Sequence, residues 1–83
     1  MSQQQGKTGT DNVTFNLVSV LYHCLEGAQT YDKYIQDAQQ QGNSDVVKFF
    51  QQLKQEEMQR ADQCKQLLGQ HLSSSGMQQR RAA

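Results

Sequence analysis

"QQGNSD", residues 40–45, separates two long stretches of patterned apolar residues and decides how the chain folds. Gly42 is suited to the left-handed conformation that closes a helix. Ser44 is suited to cap the next one, with Asp45 favourable in its first turn. Upstream, apolar residues recur at Leu17, Leu21, Cys24, Ala28, Tyr31, Ile35 and Ala38, in alternating steps of four and three. That rhythm predicts one long amphipathic helix with a packing seam, and Val18 and Leu25 widen it to a bundle face. Downstream, a second seam runs through Val46, Phe50, Leu53, Glu57, Ala61, Cys64, Leu68 and Leu72, flanked by Val47, Phe49 and Leu67. Helices joined by so short a turn fold back antiparallel.

The ends bound this hairpin. Asp11 or Asn12 is placed to cap the first helix by accepting from the free N–H groups of its first turn. Residues 1–10 are polar, contain two Gly and predict a disordered lead-in. "SSSG", residues 73–76, predicts the end of the second helix, which leaves residues 73–83 as a disordered tail. The hairpin domain is thus expected over residues 11–72.

A lone hairpin leaves one side of each apolar stripe wet. Two-fold pairing of two hairpins covers both with a single self-complementary patch. The expected fold is therefore all-α: a two-helix antiparallel hairpin that forms a four-helix bundle by homodimerisation, folding and associating together. Small size points the same way, because 83 residues bury only a modest share of their surface.

Composition excludes several functions. Gln is the commonest residue, Pro is absent, and eight basic residues balance eight acidic ones. Nucleic-acid binding calls for a basic stripe, and Arg80 with Arg81 are too few to make one. No apolar run approaches the roughly 20 residues that span a bilayer. The first ten residues lack the apolar core of a signal peptide, so the expected compartment is the cytoplasm, with Cys24 and Cys64 reduced. Neither a C-x-x-C pair nor a four-ligand zinc spacing is present.

Polar residues on the seams are the candidates for chemistry. Glu57 shares a stripe with Leu53, Ala61, Cys64 and Leu68, and Arg60 lies on its edge. One reading is a glutamate that snorkels to the edge of the seam. Another is a bundle-core metal ligand of the Glu-x-x-His type, in which residues three apart point at a shared ion. Three residues after Glu57 stands Arg60, whose guanidinium is always charged and cannot ligate a metal. It is able to replace the missing cation and pair with Glu57 or with the Glu57 of a second copy. Cys24 and Cys64 read first as small core hydrophobes. As redox thiols they would need exposure and a low pKa, which a cation beside Cys24 would favour. His71 lies on the Glu57–Cys64 stripe at steps of seven, too far along the helix to share an ion with them. His23 and Glu26 lie on the outer face, as solvated residues or an adventitious zinc pair. Tyr22, Tyr31 and Tyr34 read as bundle core and edge.

"TYDKYIQDAQQQGNSDVVKFFQQLKQEEMQRADQCKQLL", residues 30–68, resembles the helix-turn-helix half of the ferritin-like superfamily, and most of all its rubrerythrin branch. The resemblance extends back to Cys24 and covers about half the chain. Tyr31, Tyr34, Ala38, Gly42, Phe50, Glu57 and Ala61 stand where that pattern has them. It implies a di-iron carboxylate site in the bundle core, but the ligands are depleted. Glu57 matches a ligand, Arg60 stands in place of the ligating His, and Cys24 stands in place of a Glu from the first helix. Glu26 is no substitute, because it lies nearly opposite the seam.

The resulting expectation is a non-enzymatic structural or protein-interaction protein. It is a homodimeric ferritin-like scaffold that has lost its ferroxidase ligands, with a core polar layer of Cys24, Glu57 and Arg60 and no metal or cofactor. Its Gln-rich outer faces suit an unidentified protein partner. One alternative is an iron- or oxygen-handling protein that uses Glu57 from both subunits; another is a thiol redox sensor that uses Cys24, with Cys64 as the lesser candidate.

Overall fold

A computed structural model describes the backbone of residues 9–82 and the side chains of residues 9–74. It consists of two helices, α1 (Asn12–Gln40) and α2 (Ser44–Ala82), packed antiparallel with no strand among the described residues. Residues 1–8 of the expected lead-in, and Ala83, lie outside the described residues.

The caps explain where the helices begin and end. Asp11 opens α1: its carboxylate accepts the Thr14 N–H at 3.1 Å and the Thr14 hydroxyl at 2.6 Å. One of the unpaired donors of the first turn is thereby satisfied. Gly42 closes α1 at φ +71°. The Asn43 N–H donates to the Ala38 carbonyl at 3.1 Å and the Gly42 N–H to that of Gln39 at 3.0 Å, the paired bonds of a Schellman motif.

Three expectations need correction. The cap of α2 is Asn43, not Ser44, since the Asn43 side-chain oxygen accepts the Val46 N–H at 3.2 Å. The same residue completes the end of α1, so Ser44 is already helical. The second seam passes through His71 and not Leu72, which is 47% exposed. A step of three from Leu68 keeps the stripe turned toward α1, whereas a step of four carries it away. Finally, α2 does not stop at Leu72 but continues to Ala82. Ser and a single Gly cost a helix only about 0.5–1 kcal/mol each, and no Pro is present to end it. At about 1.5 Å per residue, its 39 residues account for the 59 Å long axis of the molecule.

The predicted α1 seam faces α2: Cys24, Ala28 and Ala38 are buried, and Leu17, Leu21, Tyr31 and Ile35 are half-buried. Opposite them, Ala61 and Cys64 are buried and Phe50, Leu53 and Leu68 half-buried. Among the described residues, only small side chains are fully enclosed. Eleven large apolar ones among them are 45–60% exposed. Two helices bring their backbones together, and among the described residues no third layer covers the rest.

Candidate functional site

Midway along the hairpin, three of the side chains singled out in the sequence come together. Cys24 is buried on α1, and the α2 seam brings Glu57 over the same layer. Arg60 Nη2 lies 3.2 Å from Glu57 Oε1, one helical turn along α2. The two charged side chains are far from equal in burial: Glu57 is 21% exposed and Arg60 56%. The pair exists as expected, but within one chain it is half in water. Such solvent-screened pairs contribute little to stability.

The sequence reading missed a fourth member of this layer, Gly27. Its missing side chain makes room for the Glu57 carboxylate, whose Oε2 lies 2.8 Å from where a Cβ would be. A Gly in the middle of a patterned helix is the sequence signal for such a close approach.

Electrostatics decide what the thiol does. Burial pushes the Cys24 pKa up, and the Glu57 carboxylate beside it adds to the push. Arg60 pulls downward but does not prevail. The expectation that a neighbouring cation would activate this thiol is therefore corrected. Burial opposes the thiolate, and the effect of the Glu57 carboxylate exceeds that of the cation. Arg60 itself is held more firmly protonated, chiefly by its hydrogen bond to Glu57. Cys64 is a second enclosed thiol that donates to the Leu17 carbonyl at 3.1 Å.

This donor set does not fit a di-iron group. A guanidinium rests against the one carboxylate, and the thiol beside it resists deprotonation, which metal ligation requires. Among the described residues, no three His, Cys, Asp or Glu side chains gather as a cation site. His23 is engaged by its own helix, with Nδ1 2.8 Å from the Ser19 carbonyl oxygen. Glu26 accepts from the Tyr22 hydroxyl at 3.4 Å and faces solvent.

His71, too far along α2 to share an ion with Glu57 and Cys64, joins the two helices instead. Its Nε2 lies 3.1 Å from Asp11 Oδ2 and ties the start of α1 to α2. The Thr14 hydroxyl and N–H, followed by His71, lower the Asp11 pKa from 3.8 to about 2. Reflecting Asp11 through the turn at Gly42 lands close to His71, so the register alone could have paired them.

Fold and site together define a two-helix α-hairpin with a half-solvated charge pair at its centre. No family model matches the chain, nor does any curated protein or solved structure. Among the described residues, no helix is long and apolar enough to cross a membrane.

Proposed function

We propose that this protein is a non-enzymatic structural or interaction protein: a ferritin-like hairpin that pairs with a second copy into a four-helix bundle and no longer carries a working di-iron site. The observation that carries this reading is its pattern of burial. Among the described residues, the enclosed side chains are two Cys and three Ala, while Phe15, Tyr22, Leu25, Phe49 and Leu67 lie half in water. Side chains of that size contribute about 1.5–3 kcal/mol each when fully buried, and among the described residues nothing beyond the two helices covers them, which a partner would. Once the bundle has formed, the Gln-rich outer faces remain for a further protein partner in the cytoplasm.

The chemical alternatives fare worse on the same residues. Arg60 occupies the space beside Glu57 that iron would need. Cys24 is buried with a raised pKa, which disfavours a peroxide-sensing thiolate.

Sedimentation equilibrium combined with far-UV circular dichroism tests the reading. The expected result is a dimer at micromolar concentration whose helicity falls as it dissociates. A folded helical monomer over that range would overturn it, and stoichiometric, chelator-resistant iron would promote the metal reading instead.

A further inference from the structure

Two seven-residue rows run side by side along one face of the hairpin. On α1 the row is Val13, Val20, Gly27 and Tyr34; on α2 it is Leu53, Arg60 and Leu67. Seven residues are close to two helical turns, so each row stays on one side of its helix. The Glu57 carboxylate packed on Gly27 joins the rows at their middle. The Tyr34 and Phe50 rings, 5.6 Å apart, join them near the turn. Val13, Val20, Tyr34 and Leu67 are each about half exposed, and Phe49 adds to the same face. Its α1 border, again at steps of seven, is Asn16, His23 and Thr30, and its α2 border is Glu56, Gln63 and Gln70. An apolar strip with a polar rim is the anatomy of an interface.

The opposite face differs. Phe15, Val18, Tyr22, Leu25 and Met58 are exposed on that side as well, but Asp32 and Lys54 pair across its centre at 2.6 Å, and Asp62 with Lys65 at 3.3 Å. The first face carries one charge pair, at its centre beside Gly27: Glu57 and Arg60, 3.2 Å apart, with Arg60 56% exposed.

We propose that a second copy of this chain docks on the Val20–Gly27–Leu67 face, where Arg60 of each copy donates to Glu57 of the other. The proposal rests on the dimeric reading above and names its surface and its central contact. Two features select the second copy as occupant. The first is charge: one carboxylate and one guanidinium at the centre of an apolar strip, with Glu56 out on its rim, complement themselves under a two-fold rotation. The second is position. Gly27 lies one residue past the midpoint of α1, so this layer meets its own copy whether the two-fold axis runs along the helices or across them. The gap above Gly27 admits the carboxylate, and the fork of Arg60 has donors left for a second one.

The test uses the full chain and matched substitutions. Val20 and Leu25 are 49% and 50% exposed on opposite faces. Val20→Lys is expected to weaken the dimer by about 30-fold or more, the scale of a central interface residue, and Leu25→Lys to leave it unchanged. Glu57→Lys and Arg60→Glu each place like charges in the central layer and are expected to abolish self-association. Mixed together, these two variants should form a one-to-one heterodimer, with recovery of any helicity lost by either alone. If the parent dimerises but Leu25→Lys dissociates it while Val20→Lys does not, the face is wrong and the dimer stands. If Val20→Lys dissociates it but the mixed variants stay apart, the crossed Arg60–Glu57 contact is wrong. A monomeric parent defeats the dimeric reading itself.

Discussion

Gly27 leaves room that the Glu57 carboxylate uses: a Cβ on Gly27 would lie 2.8 Å from Glu57 Oε2 and 3.3 Å from Cδ. The carboxylate is thereby held against the backbone of α1, within reach of Cys24 and paired with Arg60. In the middle of a helix, Gly is ordinarily worse than Ala by about 0.5–1 kcal/mol. Here the absent methyl is what lets the carboxylate settle.

A coupling between the two positions follows. Gly27→Ala should stabilise a Glu57→Ala background by about 1 kcal/mol, the ordinary helix-propensity gain. In the parent, the carboxyl end must swing away and its pair with Arg60 loosens. The gain there should be smaller by at least about 0.5 kcal/mol, the usual threshold for coupled sites. Thermal melts of the four proteins measure the difference, and equal gains in both backgrounds would refute the contact.

The Asp11 cap makes a prediction in pH. Thr14 and His71 lower its pKa from 3.8 to about 2 in the folded chain. A group whose folded pKa is depressed contributes stability that is fully present above its unfolded value, near 3.9, and lost as pH falls through the folded value. The melting temperature of the parent should therefore fall between about pH 4 and pH 2, in part through Asp11. Asp11→Asn keeps an N-cap acceptor but has no proton to bind. The gap between parent and Asp11→Asn should narrow steadily over that window; a constant gap would show that Asp11 does not titrate with folding.

Thiol chemistry supplies a third outcome. Cys24 and Cys64 are both buried, and the raised pKa of Cys24 leaves little thiolate at neutral pH. Alkylation by iodoacetamide at pH 7.5, followed by mass, should be slow in the native protein and accelerate with urea in step with unfolding. Rapid single-site labelling of the folded chain at Cys24 would revive the sensor reading.

Most of the fold was legible in the sequence because period and punctuation agreed. The four-and-three spacing from Leu17 to Ala38 placed the α1 seam, and Gly42 marked the reversal. Errors arose where local chemistry offered two nearly equal choices. Asn43 and Ser44 are both good caps, and only the Schellman geometry of the preceding turn selects Asn43. Ser73–Gly76 looks like a stop, yet the residues beyond it include good helix formers. At the site, periodicity brought Glu57 to the seam and left Arg60 on its edge. It did not report how far a long side chain reaches into water, nor that burial would outweigh Arg60 at Cys24. Gly27 was passed over because a glycine has no side chain to count in a stripe.

Two glycines outside the central layer separate backbone strain from packing, since a Cβ added at either would have no atom within 4 Å. Gly42 sits at φ +71° in the turn, whereas Gly69 lies within α2 on its exposed side. An added methyl meets nothing at either place, so only the conformational preference of the backbone is left to act. At Gly42 an L side chain in the left-handed region costs about 1–2 kcal/mol, and the bonds from Gly42 and Asn43 back to Gln39 and Ala38 keep the residue from relaxing into a right-handed form. At Gly69 the helix is already formed, and Ala removes unfolded-state freedom worth about 0.5–1 kcal/mol. Gly42→Ala should therefore lower the melting temperature and Gly69→Ala raise it, although the chemical change is the same. Both positions are remote from the Val20–Gly27–Leu67 face, so the dimer constant should not move once each protein is folded. A neutral Gly42→Ala would mean that the turn closes without the left-handed residue. The Asn43 cap, which depends on the chain leaving Gly42 in that direction, would then have to be placed differently.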